Sequence, residues 1–339
     1  MKIDEIKIEV WRYLQKNPKV LQAAVLSSAI ALNAHSTTIT KVRGEYPSLH
    51  SLIGHVVQGF DSKKVVPFGE IQFRKKAMKN YHQKFDFRLD PAEIIGTILQ
   101  DTYDEGKALK DKSISKTAID LLLKKIIDDV NILSVQGVYN AAKVGLNSPE
   151  FGFSMDGLNE IIRKLLLNTD NPAFLIPGDA ITQSNIVDVF TKYERGLPEL
   201  MKPKIKKIFT SVTDAEDYAI AYEDQFGKNT IYKDGDKLVT RLGKREIVGI
   251  DGLTRGTIIS TVENGFVKMV DAIDNPATIT SVQENGRVLD ILGEFTLGYD
   301  FAINELTYVH TPDASKNRGL DNQELNDLYY PSEKGLIAS

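Results

Sequence analysis

The apolar pattern of residues 115–142 constrains the fold most, because it predicts one long helix with a single buried face. A helix that begins at Ser115 or Thr117, reaches Ala142 and ends near Gly145 would be about 40 Å long at 1.5 Å per residue. A single apolar stripe favours packing across a sheet over a coiled coil. The stripe recurs at spacings of three and four residues and contains Ile119, Leu122, Leu123, Ile126, Ile127, Val130 and Leu133 or Ser134.

An extended hairpin is predicted before this helix. Apolar residues alternate within 65–73 and 85–89, on either side of a basic middle, so residues 63–89 are expected to form two strands and a charged tip. An isolated two-stranded hairpin is only marginally stable in water, so we expect a partner surface to hold it. The alternative is a surface hairpin with solvated lysines.

Short helices are predicted beside the hairpin and at the start of the chain. Asp90 and Pro91 form the start of a helix that ends near Tyr103. Residues 1–34 predict two helices that separate at Pro18. This arm is expected to pack on the rest of the molecule, as an ordinary helical hairpin, or on a neighbouring molecule. Residues 35–61 are expected to be an irregular connector.

Mixed helix and strand segments are predicted after Pro149. We expect helices at 155–167, at 183–193 and from Thr213 or Asp214 to Gly227, with strands at 174–177, 205–212 and 288–309. Asp234-Gly235 and Asn285-Gly286 predict tight hairpin turns. The polar tail after His310 is expected to drape over another surface or to stay mobile.

Composition limits the partners and the compartment. The 42 Lys and Arg residues against 46 Asp and Glu give a net charge of -4, so any contact with nucleic acid must be local. Cysteine is absent, which removes disulfides and thiolate chemistry. The early apolar run is too short to span a bilayer, and the start is not a basic signal peptide, so we expect no membrane association and synthesis in the cytoplasm.

No common catalytic, cofactor-binding or metal-binding pattern is present, so the prediction is a protein that is not an enzyme and has no catalytic, cofactor or metal residues. His50 and His55 could meet in a loop, where a structural or solvated role is expected. The glycine-spaced stretch 249–256 is interpreted as a surface loop. The adjacent carboxylates at 128–129 and 216–217 are interpreted as solvated helix faces.

The order of these parts resembles the major capsid protein of tailed bacteriophages. The resemblance rests on the helical arm, on the basic hairpin ending in Phe85-Asp86-Phe87-Arg88-Leu89-Asp90-Pro91, on the long helix from Ser115 and on the closing strands with Asn285-Gly286. Residues 86–99 are also similar to the hairpin-to-helix junction in capsid proteins of phages of Bacteroidetes-type hosts.

The resemblance implies an α+β fold of the Hong Kong 97 type. It implies an arm and connector (1–62), an extended loop (63–90), a peripheral domain with the spine helix (91–153), an axial domain (154–277), closing strands that return to the peripheral domain (278–310) and a C-terminal tail (311–339). Since residues 1–34 are too short for a large fused scaffolding domain, a separate scaffold, or a short one within the arm, is expected.

The same resemblance implies a structural role in the virion. The subunit would assemble in the host cytoplasm into hexamers and pentamers of an icosahedral head, with packaged double-stranded DNA on its inner face. Scaffolding, portal and auxiliary capsid proteins are the expected partners. Two alternatives stay open from the sequence, namely an encapsulin-like compartment that encloses protein cargo and a cytoplasmic enzyme with an unfamiliar site.

Overall fold

The chain divides into two compact units. The computed structural model describes residues 3–60, 62–90, 114–227, 233–234, 237–313, 315–333 and 336, and the short helix predicted after Asp90 lies outside them. The first unit comprises residues 1–44, 80–156 and 268–298. The second comprises residues 45–79, 157–267 and 299–339.

The N-terminal arm packs within the first unit. Helices α1 (Ile3–Lys16) and α2 (Val20–Val25) are followed by a 3-10 turn at Ala31–His35. Both helices pack against the long helix α3 (Ile114–Gln136) and against strand β12 (Thr278–Asn285). The arm is therefore an ordinary docked helical hairpin, one of the alternatives that the sequence left open.

Helix α3 has the buried stripe that the sequence predicts. Ile119, Leu122, Ile126, Val130 and Leu133 are all buried. The helix has 23 residues, about 35 Å, and ends at Gln136 instead of Ala142. It ends there because a Cβ on Gly137 would lie 2.6 Å from the carbonyl oxygen of Met155, and the next amides donate to the 152–153 backbone instead of to the helix.

The first unit contains a five-stranded sheet in the order β1-β11-β13-β12, with β4 paired to β13. Its strands are β1 (Thr37–Ile39), β4 (Tyr81–Leu89), β11 (Phe266–Met269), β12 and β13 (Val288–Phe301). The predicted turn at Asn285-Gly286 joins β12 to β13, and Gly286 has the positive φ of +68° that such a turn requires.

Strand β4 corrects the predicted hairpin. The segment 85–89 was expected to pair within 63–89, but β4 instead forms nine antiparallel pairs with β13, from Leu89 opposite Leu289 to Tyr81 opposite Leu297. Alternation of apolar residues identifies a strand without identifying its partner, which is why the prediction failed. The predicted strand 288–309 is likewise divided into β13 and β14 (Thr307–Thr311) by a 3-10 turn at Asn304–Leu306.

The second unit is built on another five-stranded sheet, in the order β5-β14-β10-β6-β9. The strands are β5 (Phe174–Pro177), β6 (Lys207–Ser211), β9 (Glu246–Ile250), β10 (Ile259–Thr261) and β14. The helices are α4 (Leu158–Leu167), α5 (Ile186–Gly196) and α6 (Val212–Phe226), and β7 (Lys233–Asp234) pairs with β8 (Lys237–Leu238).

The predicted step from a strand into a helix is present, but the helix begins at Val212 with Ser211 as its cap, one to two residues before the predicted start at Thr213 or Asp214. The hydroxyl of Ser211 accepts a hydrogen bond from the amide of Asp214 at 3.0 Å, and Gly227 ends the helix with a φ of +69°. A Cβ on Gly249 would lie 3.1 Å from the Cα of Val212, so the start of α6 packs closely against the carboxyl end of β9.

The C-terminal tail belongs to the core of the second unit. Helix α7 (Gln323–Tyr329) buries Leu325 and Tyr329, and Tyr330 packs edge-on against the ring of Phe174 at 4.8 Å. The draped or mobile tail predicted after His310 is therefore wrong for these residues, because their few apolar side chains coincide on one face although the segment as a whole is polar.

Candidate assembly surface

A two-stranded ribbon in the second unit is the main candidate for a functional surface. Strands β2 (Glu45–Ile53) and β3 (Ile71–Lys79) form nine antiparallel pairs, from Glu45 opposite Lys79 to Ile53 opposite Ile71. Residues 54–70, called the tip below, connect the two strands. The ribbon overlaps only the first part of the predicted hairpin, and the basic residues expected at the hairpin tip lie in β3 and, for Lys84, in β4.

The inner face of the ribbon packs Leu52 and Met78 against its chain and also carries polar side chains that are bonded to its own unit. Ser48 lies opposite Lys76 in the register. The ammonium of Lys76 donates to Asp300 Oδ1 at 2.5 Å, to the carbonyl of Phe301 at 2.7 Å and to Asn304 Oδ1 at 2.6 Å. The hydroxyl of Ser48 donates to the carbonyl of Ala302 at 3.0 Å.

The second polar pair on the inner face is His50 and Arg74. Arg74 Nε lies 3.5 Å from the Oε1 of Glu305, a side chain that is 1% exposed, and the ring of His50 hydrogen-bonds to the hydroxyl of Tyr329 at 2.5 Å. Burial raises the pKa of the Glu305 carboxyl. Burial and the nearby charge of Arg74 lower the pKa of His50, so the neutral imidazole is the form that the site favours.

The outer face of the ribbon is apolar and exposed. The side chains of Leu49, Ile53, Ile71 and Phe73 are 55 to 70% exposed. Strands that cover a core normally bury the apolar face and expose the polar one. The ribbon departs from this rule in part, because four large apolar side chains of its outer face are exposed beside Lys75 and Lys79, while Arg74 and Lys76 on the inner face are bonded to its own chain beside the buried Met78.

The tip extends this apolar surface. Phe60 is 94% exposed and Val65 is 99% exposed, and Val57, Val66 and Phe68 are also exposed. Close backbone packing shapes the tip, because a Cβ on Gly69 would lie 2.7 Å from the carbonyl oxygen of His55. A continuous apolar surface of this kind is characteristic of a protein interaction site.

Sequence reasoning missed β2. Residues 35–61 were expected to be irregular because Gly44, Pro47, Gly54 and Gly59 punctuate them. The sequence held no period-two signal, because its apolar residues Tyr46, Leu49 and Leu52 are three apart, and the alternation of half-buried with exposed residues appears only in the structure. Pro47 fits a strand here because the ribbon has only two strands and both are edges.

The other residues considered in the sequence do not form a common site. His50 contacts Tyr329, whereas His55 is exposed in the tip, so the two do not meet. Gly249 and Ile250 belong to β9 and not to a surface loop. Asp217 is not simply solvated, because Arg255 donates to it at 2.5 Å from the loop beside α6. Among the described residues, no three or more His, Asp or Glu side chains are placed to hold a metal ion.

The described helices include none that is both long and apolar enough to cross a bilayer. No protein-family model matches the chain. No curated protein matches it either.

Solved capsid structures do match. The chain is 9% identical to a chain of the satellite phage P4 procapsid that includes the size determination (Sid) protein, over 85% of this chain and 96% of that one, with a TM-score of 0.51. It is 10% identical to a chain of the capsid of the empty GTA particle, over 84% of this chain and 90% of that one, with a TM-score of 0.51. The α+β Hong Kong 97-type fold predicted from the sequence is therefore confirmed.

Proposed function

We propose that this chain is the major subunit of an icosahedral phage head, assembling into hexamers and pentamers around double-stranded DNA. The observation that carries the proposal is the ribbon, whose outer face and tip expose large apolar side chains while Lys76 and Arg74 on its inner face are bonded to its own unit. The capsid-type fold supports it. Burying this surface on a sister copy would remove a large apolar area from water.

The parts of the fold have proposed roles in such a shell. We propose the ribbon and tip, residues 45–79, as the extended loop in place of residues 63–90. Helix α3 would be the spine helix within the peripheral domain, and 154–277 the axial domain. The arm and connector would then end at residue 44 and the peripheral domain would include β4, and the divisions at 278–310 and 311–339 are retained as proposals.

Assembly would depend on many weak contacts that symmetry makes multivalent. Each subunit would place its ribbon on a neighbour, so the shell would be more stable than any one interface. Scaffolding, portal and auxiliary capsid proteins are the proposed partners, with assembly in the host cytoplasm and a final location in the virion. The proposed role is structural and not enzymatic. The similarity to capsid proteins of phages of Bacteroidetes-type hosts stays a prediction.

The test replaces apolar side chains on the outer face. We expect the double variant Leu49→Ser and Phe73→Ser to remain folded by circular dichroism and to form no closed shells in electron micrographs. The matched control is Ser51→Ala with Lys75→Ala, which changes polar residues of the same face and should still assemble.

Two outcomes would oppose the proposal. If the Leu49→Ser and Phe73→Ser variant forms closed shells, the proposed role of the outer face in assembly is wrong. If the wild-type chain stays a monodisperse monomer in light scattering at high concentration, the proposed shell function itself is wrong. Nucleic acid in purified particles would separate a phage head from a compartment that encloses protein cargo.

A further inference from the structure

The half of the ribbon nearest its tip is attached to the second unit by a group of titratable side chains. Arg74 donates to the carbonyl of Asp170. Arg74 Nε also lies 3.5 Å from Glu305 Oε1, but among the described residues neither of these two buried atoms has a hydrogen-bond partner. The contact is therefore a buried ion pair without a hydrogen bond, which is a weak arrangement. We call His50, Arg74, Glu305 and Tyr329 the His50 cluster.

The hydroxyl of Tyr329 fixes where the hydrogen of the His50 ring lies. This hydroxyl bonds to His50 Nε2 at 2.5 Å and also to the carboxyl of Glu305. With Glu305 ionised, the hydroxyl donates its one hydrogen to the carboxylate and accepts from the N–H of His50 Nε2. The bare nitrogen of the neutral ring is then Nδ1, which is buried and has no partner in the described part of the chain.

The cluster has no place for a second proton on His50. That proton would bind to Nδ1, where the described residues supply no acceptor. The resulting positive charge would lie beside Arg74, which is directly opposite His50 in the register of the ribbon. Both effects favour the neutral ring over the imidazolium.

The other titratable groups around His50 do not compensate such a charge. Lys76 lies two residues further along β3 and is paired with Asp300. Glu305, on the 3-10 turn, is already shared by the other members of the cluster. At the end of α7, the hydroxyl of Tyr330 donates to the backbone carbonyl of Glu305 and not to the His50 ring.

We propose that the His50 cluster is a proton-sensitive attachment, which holds the outer half of the ribbon on its own unit while His50 is neutral and weakens when His50 is protonated. Lys76 would keep its three acceptors in both forms, so the half nearer Lys79 would stay attached. The consequence for assembly rests on the proposed shell function. A ribbon held on its own unit presents its apolar face in a fixed position, which lowers the cost of docking on a neighbour.

The pH dependence has contributions of opposite sign from His50 and Glu305. Burial and Arg74 lower the pKa of His50, so its contribution to attachment is complete above about pH 6.5 and is lost as the pH falls through the lowered pKa. Burial raises the pKa of Glu305, so its contribution is complete below about pH 4.5 and is lost as the pH rises through the raised pKa. A variant that lacks only the imidazole isolates the contribution of His50.

His50→Asn supplies this comparison, because the amide keeps an N–H donor for the hydroxyl of Tyr329 and does not titrate. The measurement is hydrogen exchange of the β2 and β3 amides in the full-length, unassembled subunit, expressed as protection relative to the unfolded chain. A ribbon that loses its support exchanges faster, since two strands alone are marginally stable.

We expect the protection of the wild type, divided by that of His50→Asn, to fall about threefold or more between about pH 7.5 and about pH 5, since each unit of lowered pKa corresponds to about tenfold in the attachment equilibrium. The matched control is His55→Asn, which removes an exposed imidazole of the tip and should behave as the wild type at every pH. Exchange of the imidazole C2 hydrogens in the wild type gives a second readout, and the titration midpoint of His50 should lie below about 6.5.

The outcomes separate this inference from the shell function. A constant protection ratio, an equal change in His55→Asn, or a His50 midpoint at or above the ordinary value would each overturn the attachment and leave the proposed function in place. The midpoint needs no substitution, so it decides the question even if His50→Asn does not fold. A wild-type chain that shows the expected fall but stays a monomer in light scattering would support the attachment and overturn the shell function.

Discussion

At the scale of single residues, Lys76 shows how the ribbon is held. A lysine on a strand normally extends its ammonium into water. The ammonium of Lys76 instead has three acceptors, supplied by Asp300, Phe301 and Asn304, and only 13% of its side chain is exposed. Its neighbour Lys75 lies on the exposed face opposite Leu49. One lysine therefore attaches the ribbon, whereas the next has no such function.

Lys76→Met should release the ribbon. Replacing the ammonium removes one donor from Asp300, which still accepts from the amide of Phe301, and removes the Lys76 donor from Asn304 Oδ1, a loss of about 1–3 kcal/mol in the free energy of unfolding. We expect faster hydrogen exchange of the β2 and β3 amides and a lower thermal midpoint. Lys75→Met is the matched control and should leave both unchanged. Equal protection of the ribbon amides in the two variants would contradict the attachment.

At the scale of elements, periodicity predicts what is local. The stripe of α3, the turn at Asn285-Gly286 and the step from β6 into α6 all follow from residue spacing and from capping and turn chemistry, and the structure confirms them. These features depend on residues within a few positions of each other. For that reason the sequence alone was sufficient to predict these local features.

Pairing between distant segments was not predictable in this way. β4 pairs with β13 about 200 residues later. β3 pairs with β2, which was predicted to be irregular because glycines and a proline interrupt its part of the sequence. The end of α3 depends on the approach of the Met155 backbone to Gly137. The candidate surface was missed in part for the same reason, since Leu49, Ile53, Ile71 and Phe73 share one exposed face only once β2 and β3 are in register.

Ile126→Asp tests the placement of α3. Ile126 is buried in the middle of the apolar stripe, where an unpaired carboxylate has no compensating partner. We expect a loss of more than about 3 kcal/mol and an insoluble or unfolded chain, measured by solubility and circular dichroism. Lys124→Asp changes the exposed face of the same helix and should stay soluble. A soluble, folded Ile126→Asp protein would contradict the assignment of the buried face.

At the scale of the whole molecule, the elements expected to need partners behave differently. The N-terminal arm packs on its own unit, and the C-terminal tail is part of the core of its own unit. The described elements that were expected to project are the arm, the ribbon with its tip, and the tail. Of these, only the ribbon and its tip keep a large apolar surface exposed. In the proposed shell, the dependence on sister copies would therefore be concentrated in residues 45–79.

Because the exposed apolar surface lies in residues 45–79, a deletion that tests assembly should remove part of this segment without removing a strand. A deletion of residues 72–84, the basic middle of the predicted hairpin, would remove most of β3 and nearly half of β4. Strand β4 pairs with β13 in the sheet of the first unit. Replacing the tip, residues 54–70, removes no strand. Ile53 and Ile71 are directly paired, so an Asn-Gly turn can join them as a two-residue hairpin loop.

We therefore expect the tip replacement to give a folded subunit that does not form closed shells. Its thermal midpoint should stay within a few degrees of that of the unassembled wild-type subunit, because the tip contributes no buried apolar side chain. Light scattering and electron microscopy would show loss of particles. Lys63→Ser with Lys64→Ser keeps the apolar tip and should still assemble, since burial of Phe60, Val65 and their neighbours, and not the tip charges, would drive the contact. Regular shells from the shortened chain would show that the tip has no part in assembly.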